Sequence, residues 1–374
     1  MQKTLVILVI FFAYVGSVSA QNAPGAKLED KSGQVFVKPP GANEQPAQPG
    51  QDIQAGSDIR TGDDGKAAVA FADGSHLTVQ ANSSVMLSAN LRKKVHKNSV
   101  IVFFGRVWSK VTRSVSGETS FEVNTPNAVA GVRGTEFETA VADDGTARVR
   151  VTEGSVKVSG DNNGQVVNGG NQVDADDKTV GATAPEKGQP QWDDWNKDRR
   201  ERLKKSGRAV IDSATARVNA KKAKLEALRA EELKILAHRK QAEERARTGD
   251  QAAISEIRAD NARLAEITDT IADLGDAATS QFGFVDHLAD LAADPRFGMV
   301  DRKYMEMEVR SLRRVKEMFD KMVKEGTDIS IEGMDKMLDD MSNGKRGSLK
   351  EKNGSSVKDM FQDNDLGNPE NDVR

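Results

Sequence analysis

The 374-residue sequence contains no cysteine. That excludes a small disulfide-stapled scaffold, and stability has to come from burial. Histidine is scarce, and His76, His96, His238 and His287 fall at no spacing that resembles zinc ligands. There is no G-x-S-x-G elbow, no Walker loop and no G-x-G-x-x-G, so nucleophilic and nucleotide chemistry lack their usual carriers. Asp174, Asp176 and Asp177 cluster after Gly169-Gly170 but lack the EF-hand's glycine and closing glutamate, and they read as a solvated linker. The net charge is only −3, which gives no global argument for nucleic acid or an anionic membrane. With only three tryptophans, indole platforms for sugars are few. The chain reads as a non-enzyme with no catalytic residues, no cofactor and no metal.

Past the N-terminus, no stretch is apolar enough to cross a bilayer, which takes about 20 residues. The opening MQKTLVILVIFFAYVGSVSAQNA has a basic Lys3, an apolar run from Leu5 to Val15 and small residues Val18 and Ala20 at −3 and −1. This predicts a signal peptide over 1–20, with Gln21 as the first mature residue. The mature protein is then expected in the periplasm or outside the cell. Without a cysteine it has no bacterial lipid acceptor.

Texture divides the remainder into a β domain over 21–185, a helical, coiled-coil-like region over 186–345 and a disordered tail over 346–374. In the first region KAAVAFADGSHLTVQ alternates Ala67, Val69 and Phe71, turns at Asp73-Gly74 and resumes at Leu77 and Val79, a hairpin pattern. TARVRVTEGSVKV reads the same way, with a turn at Glu153-Gly154. Asp63-Asp64-Gly65 and Asp143-Asp144-Gly145 precede these segments, and Gly74-Ser75 and Gly154-Ser155 follow nine residues on. The pair suggests two copies of a strand-turn-strand unit stacked in a roll or solenoid. Val100 to Phe104 is apolar on both faces and fits a doubly covered strand that bends at Gly105.

Residues 56–79 (GSDIRTGDDGKAAVAFADGSHLTV) with ANSSVMLS, 105–111 (GRVWSKV), 124–137 (NTPNAVAGVRGTEF) and 149–158 (VRVTEGSVKV) resemble, in family order, the FecR domain. The likeness covers roughly 35–160. Ser57 departs from the apolar or glycine residue often found there. The resemblance implies an all-β extracytoplasmic module of twisted, solenoid-like form. In that family the domain accompanies a cytoplasmic anti-sigma segment and a membrane span. A chain opening on a signal peptide has no room for the former, so the signalling role is not carried over whole.

Within the motif, Thr125-Pro126 reads as a turn, Gly134 as a bend of positive φ between strands, and Phe137 as core. Arg133 either presents its guanidinium to an acidic ligand or, the reading preferred here, ties Glu136 or Glu153 across the turn. Thr135 completes the Arg-Gly-Thr. The set Thr125, Pro126, Arg133, Gly134, Thr135 and Phe137 is therefore expected to be structural.

In the helical region, Ile211, Val218 and Leu225 repeat at seven, and Ala214, Leu228 and Ile235 nearly complete a second series. Lys221 and Glu232 interrupt the seam. Thr248-Gly249-Asp250 reads as a stop and a new N-cap, so the next helix, about 251–275, should return antiparallel. Its seam is Ile257, Leu264 and Ile271 with Ile267 and Leu274. Shorter helices are expected near 280–292, 298–325 and 330–341, with a break at Ser206-Gly207 also open. Trp192 and Trp195 should staple the first helix to the β domain. Charged seam positions favour a monomer or weak dimer, although the oligomeric state stays open. The expected function is a protein-interaction, signalling or structural module of the bacterial envelope with protein partners and no nucleic acid. The alternative is a carbohydrate- or peptidoglycan-binding protein.

Overall fold

The computed structural model describes residues 24–90, 97–113, 121–186 and 192–343. The expected signal peptide and tail lie outside these. These residues form a large, mostly β N-terminal region followed by three long helices. One compact unit runs to Gly326, and a second begins at Thr327.

The β region holds two sheets. The first has the order β4 (Asp52–Gln54), β1 (Pro24–Ser32), β6 (Lys66–Phe71), β7 (His76–Val79), the second half of β9 (Lys97–Lys110), β12 (Glu136–Val141), β13 (Ala147–Glu153), β16 (Asn171–Ala175) and β17 (Ala184–Pro185), all antiparallel. The second has the order β3 (Gln45–Pro46), β2 (Val35–Lys38), β5 (Ser57–Thr61), β8 (Ser84–Asn90), the first half of β9, β10 (Phe121–Asn124), β11 (Val129–Val132), β14 (Ser155–Ser159) and β15 (Gly164–Asn168). Among the described residues only the β9–β10 pairing is parallel. Alternate side chains from both sheets, among them Val69, Val107 and Val149 from the first and Ile59, Val85 and Val123 from the second, merge into one buried cluster.

Strand β9 belongs to both sheets and bends between them at Gly105, where φ is +91°. A Cβ there would collide with Ser83, so only glycine permits this crossing. Val100 and Val102 face the sandwich core, while Ile101 and Phe103 are buried on the other face, as a doubly covered strand requires.

The first hairpin forms as its alternation predicts, β6 pairing with β7 around Asp73-Gly74. The second differs. β13 pairs with β12 and β16, whereas β14 pairs with β11 and β15. The chain therefore crosses between sheets at Gly154 (φ +86°) instead of folding back on itself. The hairpin equivalent to Asp73-Gly74 is Asp144-Gly145, between β12 and β13. A repeat does exist, β5 to β8 against β11 to β14, but in a different register from the one the Asp-Asp-Gly triplets suggest. Asp63-Asp64-Gly65 sits at a sheet crossing and Asp143-Asp144-Gly145 at a hairpin, so similar triplets serve different turns.

Helix α1 (Trp192–Arg247) is kinked at Ser206, where φ/ψ is −129°/27°. Gly207 packs there against Met299 and Met305. Helix α2 (Gln251–Ala293) begins at Asp250, whose carboxylate accepts from the Ala252 and Ala253 amides. It runs back along α1: Arg245 pairs with Glu256, His238 with Asp260 and Arg263 with Glu231, an antiparallel register. Contrary to the shorter helices expected, α2 continues through Gly275 to Ala293, and α3 (Arg302–Asn343) continues through Gly326. One internal glycine costs only about 1 kcal/mol relative to alanine, less than burial of a single leucine at about 1.5–3 kcal/mol. Leu203, Ile211, Val218, Leu225, Ile267, Ile271, Leu274, Leu312 and Phe319 form the helical core. The seam gap at Glu232 is a buried ion pair with Arg229.

Candidate functional site: the docking face between sheets and helices

The turn Thr125–Asn127 and the hairpin tip Ala142–Thr146 lie together beneath the helices. Thr125 Oγ1 donates to the Ala128 carbonyl at 2.8 Å and accepts from its amide at 3.0 Å, which closes the turn. Asn127 Nδ2 donates to the Gly145 carbonyl at 2.7 Å and links turn to tip. The Pro126 carbonyl, left free by this turn, accepts from Arg217 of α1 at 3.0 Å and from Gln281 Nε2 of α2. Both helices thus seat on one backbone oxygen of the motif.

At the tip, Asp143 is buried. Its carboxylate accepts from Arg200 Nε at 2.6 Å and lies 2.9 Å from His287 Nε2, and its amide donates to Asn196 Oδ1 at 3.0 Å. Burial pushes the Asp143 carboxyl up, but the His287 ring and the Arg200 guanidinium outweigh it and hold the group below the ordinary carboxylate range. His287 stacks on Phe104 with centroids 3.9 Å apart. Gly145 lies so close to Phe284 that a Cβ would come within 2.8 Å of its ring. On the second sheet, Asp276 of α2 accepts from Ser88 Oγ at 2.6 Å and Ser99 Oγ at 3.2 Å, and Asn124 Nδ2 donates to Ser99 Oγ at 3.0 Å.

The first turns of α1 grip the outer face of the first sheet. Trp195 lies between Arg148 of β13, 4.7 Å from its ring centroid, and Arg199, 5.7 Å away. Arg148 also makes a two-pronged contact to Asp174, at 2.6 and 2.8 Å. Trp192 is buried against Arg106. Both indoles are used in attachment, as their place at the start of the helix suggests. Asp176 caps its own turn through the Lys178 and Thr179 amides, and the Asp177 carbonyl accepts from Arg217. These groups are consumed internally. A cleft of about 240 Å³ between this turn and the α1 kink has Asp144, Asp177, Lys178, Arg202 and Arg217 on its walls.

The remaining motif residues form a separate corner. Gly134 (φ +60°) carries the chain from β11 to β12, and Gly154 packs directly on it. Thr135 Oγ1 donates to the Ser155 carbonyl at 3.0 Å and ties the two crossings together. Phe137 is fully buried, and Arg133 is exposed. The structure thus splits the motif: Thr125 and Pro126 belong to the docking face, and Arg133, Gly134 and Thr135 to the corner. Arg200, Arg217, Gln281 and His287 have no local sequence signature, because they come from elements far apart in the chain, and Asp143 is visible in the sequence only as part of an Asp-Asp-Gly turn. Trp108 is half-buried and faces outward between the core-facing Val107 and Ser109.

Among the described residues no cluster of three histidine or carboxylate side chains could hold a metal. No helix among them is long and apolar enough to cross a membrane. His76 contacts Glu29 and His238 contacts Asp260, far from the docking face.

The β region is a two-sheet module with one strand, β9, shared between the sheets. Residues 57–157, from the start of β5 into β14, match the family model described as FecR protein, and the chain carries a FecR domain there. Two solved structures of a candidate anti-sigma factor from Parabacteroides distasonis ATCC 8503 are 19% and 20% identical, with TM-scores of 0.30 and 0.31. Each match covers 34% of this chain and 59% of the other. No curated protein matches.

Proposed function

We propose that this chain is an exported, non-enzymatic envelope module whose FecR domain holds a helical hairpin out toward protein partners, in a signalling or structural role. The observation that carries this reading is the double seating of α1 and α2 on the Pro126 carbonyl. It turns the most distinctive turn of the domain into a mount. The polar contacts of α1 with the β module end near Arg217 and its neighbour Asp161. From Leu225 to Arg247 the helix continues for about 35 Å at 1.5 Å per residue, paired with α2. Leu233 and Ile254 are exposed on that hairpin. FecR-family proteins are regulatory and associated with the envelope, which supports the same reading.

The competing reading is a glycan-binding protein. Trp108 on the outer face of the first sheet is its remaining indole, since Trp192 and Trp195 are engaged by arginines. Two measurements separate the readings. Photo-crosslinkers at Leu233 and Ile254 in intact cells should yield discrete protein adducts, and purified cell wall should not sediment the protein. Sedimentation with cell wall that is lost in Trp108→Ala would favour the glycan reading. Export is tested by N-terminal sequencing: the mature chain should begin at Gln21, and a cytosolic chain beginning at Met1 would refute it.

A further inference from the structure

Among the described residues four strands edge the two sheets, and three of them are blunted. β3 (Gln45–Pro46) and β17 (Ala184–Pro185) are two residues long and end in proline, and β4 (Asp52–Gln54) is three residues long and begins with a charge. These are the usual protections against stray strand pairing. β15, Gly-Gln-Val-Val-Asn, has neither proline nor charge and among the described residues pairs only with β14.

The ladder fixes which of its groups face outward. The Gly160 amide donates to the Asn163 carbonyl and the Gly169 amide to the Gly154 carbonyl, so both ends of the β14–β15 ladder close on bonded pairs. By alternation, Gln165 and Val167 bond to β14. Gly164 and Val166 then turn both N–H and C=O to the open edge. Asn168 turns its N–H there, its carbonyl already accepting from Asn171 Nδ2. Val166 is 59% exposed beside them. Directly across from Val166 lies Lys157, and Arg113, Arg133 and Lys157 line an open trough of about 530 Å³ floored by Gly131.

We infer that the β15 edge accepts an extended, acidic segment of a partner protein as an added antiparallel strand. Its backbone would bond to Gly164, Val166 and Asn168, its alternate carboxylates would lie on the face that carries Val166 and Lys157, toward the basic trough, and its apolar residues would extend the opposite, core face beside Val167. The inference rests on the protein-partner reading and adds a second surface, distinct from the helical hairpin. Main-chain bonds supply affinity in this mode, and the flanking side chains choose the sequence. The basic trough selects an acidic strand over self-pairing, because a second copy would bring its own lysine and arginines to the same edge.

The test uses the full chain and a terminally blocked octapeptide alternating valine and glutamate, with valine–lysine and proline-interrupted octapeptides as controls, followed by fluorescence anisotropy. The acidic peptide should bind and slow amide exchange at Gly164, Val166 and Asn168, and the controls should bind at least about tenfold more weakly. Val166→Pro removes an outward N–H that β14 does not use, so the fold should survive, as its thermal midpoint will report, while binding falls at least about tenfold. Lys157→Glu should weaken the acidic peptide and favour the lysine one. Equal binding of both charges, unchanged affinity in a folded Val166→Pro chain, or no binding of the acidic peptide would overturn the inference. So would concentration-dependent dimerisation abolished by Val166→Pro, which would assign the edge to a second copy. If crosslinking from the hairpin captures proteins while these variants change nothing, this inference fails and the module reading stands. If the peptide binds as expected and no cellular protein is captured, the module reading fails instead.

Discussion

Replacing Asp143 by asparagine keeps the shape of the hairpin tip and removes its charge. In the wild type the carboxylate is 4% exposed and accepts from Arg200 at 2.6 Å and from His287 at 2.9 Å. Hydrogen bonds to a charged group contribute roughly 1.5–3 kcal/mol each. Arg200 is nearly half exposed and can turn to water, so its share is small. His287 is buried, and an amide can still accept from it only if its own NH2 finds another acceptor. The expected loss is about 2–3 kcal/mol, or roughly 3–5 °C in thermal midpoint for a unit of this size. Because the folded carboxyl is held below its ordinary value, its contribution is present above about pH 4 and is lost as pH falls further through the depressed folded value. The difference between wild type and Asp143→Asn should therefore be full at neutral pH and shrink in acid. Hydrogen exchange should accelerate in α2 around Phe284 and Leu288. An unchanged midpoint at neutral pH, or a difference that grows in acid, would refute the docking account.

Gly134→Val should cost about 2–4 kcal/mol, since φ is +60° and a Cβ would lie 2.9 Å from that of Arg113; a thermal midpoint within about 1 °C of wild type would contradict this. Burial raises the Asp58 carboxyl, with the Lys38 charge opposing and Glu44 adding to the rise, and its buried Oδ1 has no partner. Its penalty is therefore present at neutral pH and relieved as pH falls through the raised folded value. Asp58→Asn should stabilise by about 0.5–1 kcal/mol at neutral pH and gain nothing in acid, as denaturant titration at two pH values will show. In the hairpin, Glu232→Ala alone should cost about 3–5 kcal/mol by stranding Arg229, whereas Arg229→Met with Glu232→Leu should be neutral or stabilising. A double variant as weak as the single one in chemical denaturation would show that the pair does more than fill the seam.

Local patterns carried much of the fold. Alternation in Ala67–Val79 located a true hairpin because Asp73-Gly74 supplies its own turn. The two-faced apolarity of Val100–Phe104 located the strand covered by both core and helix. The corner at Gly154 was not legible, because an Asp/Glu-Gly turn and a sheet crossing look alike until pairing partners are known. Gly275 misled for a related reason: a glycine marks a weak point, but the turns of α2 beyond it bury Ala278, Phe282 and Phe284, and the helix runs on. The docking face was least visible. Asp143 and His287 lie 144 positions apart; His287 carries no local signature, and the Asp-Asp-Gly triplet of Asp143 marks a turn, not a docking contact. Pro126 read as a turn, but what its carbonyl holds depends on two helices whose register only the packed structure sets.

A FecR domain that mounts a helical hairpin for protein contact should reveal its partner when photo-crosslinkers are placed on that hairpin in intact cells. With the crosslinker at Leu233 or Ile254, the account predicts discrete protein adducts that fade when Arg217→Ala and Gln281→Ala release the helices from Pro126. Discrete adducts that persist unchanged in the released variant, or no protein adduct from either position, would contradict it.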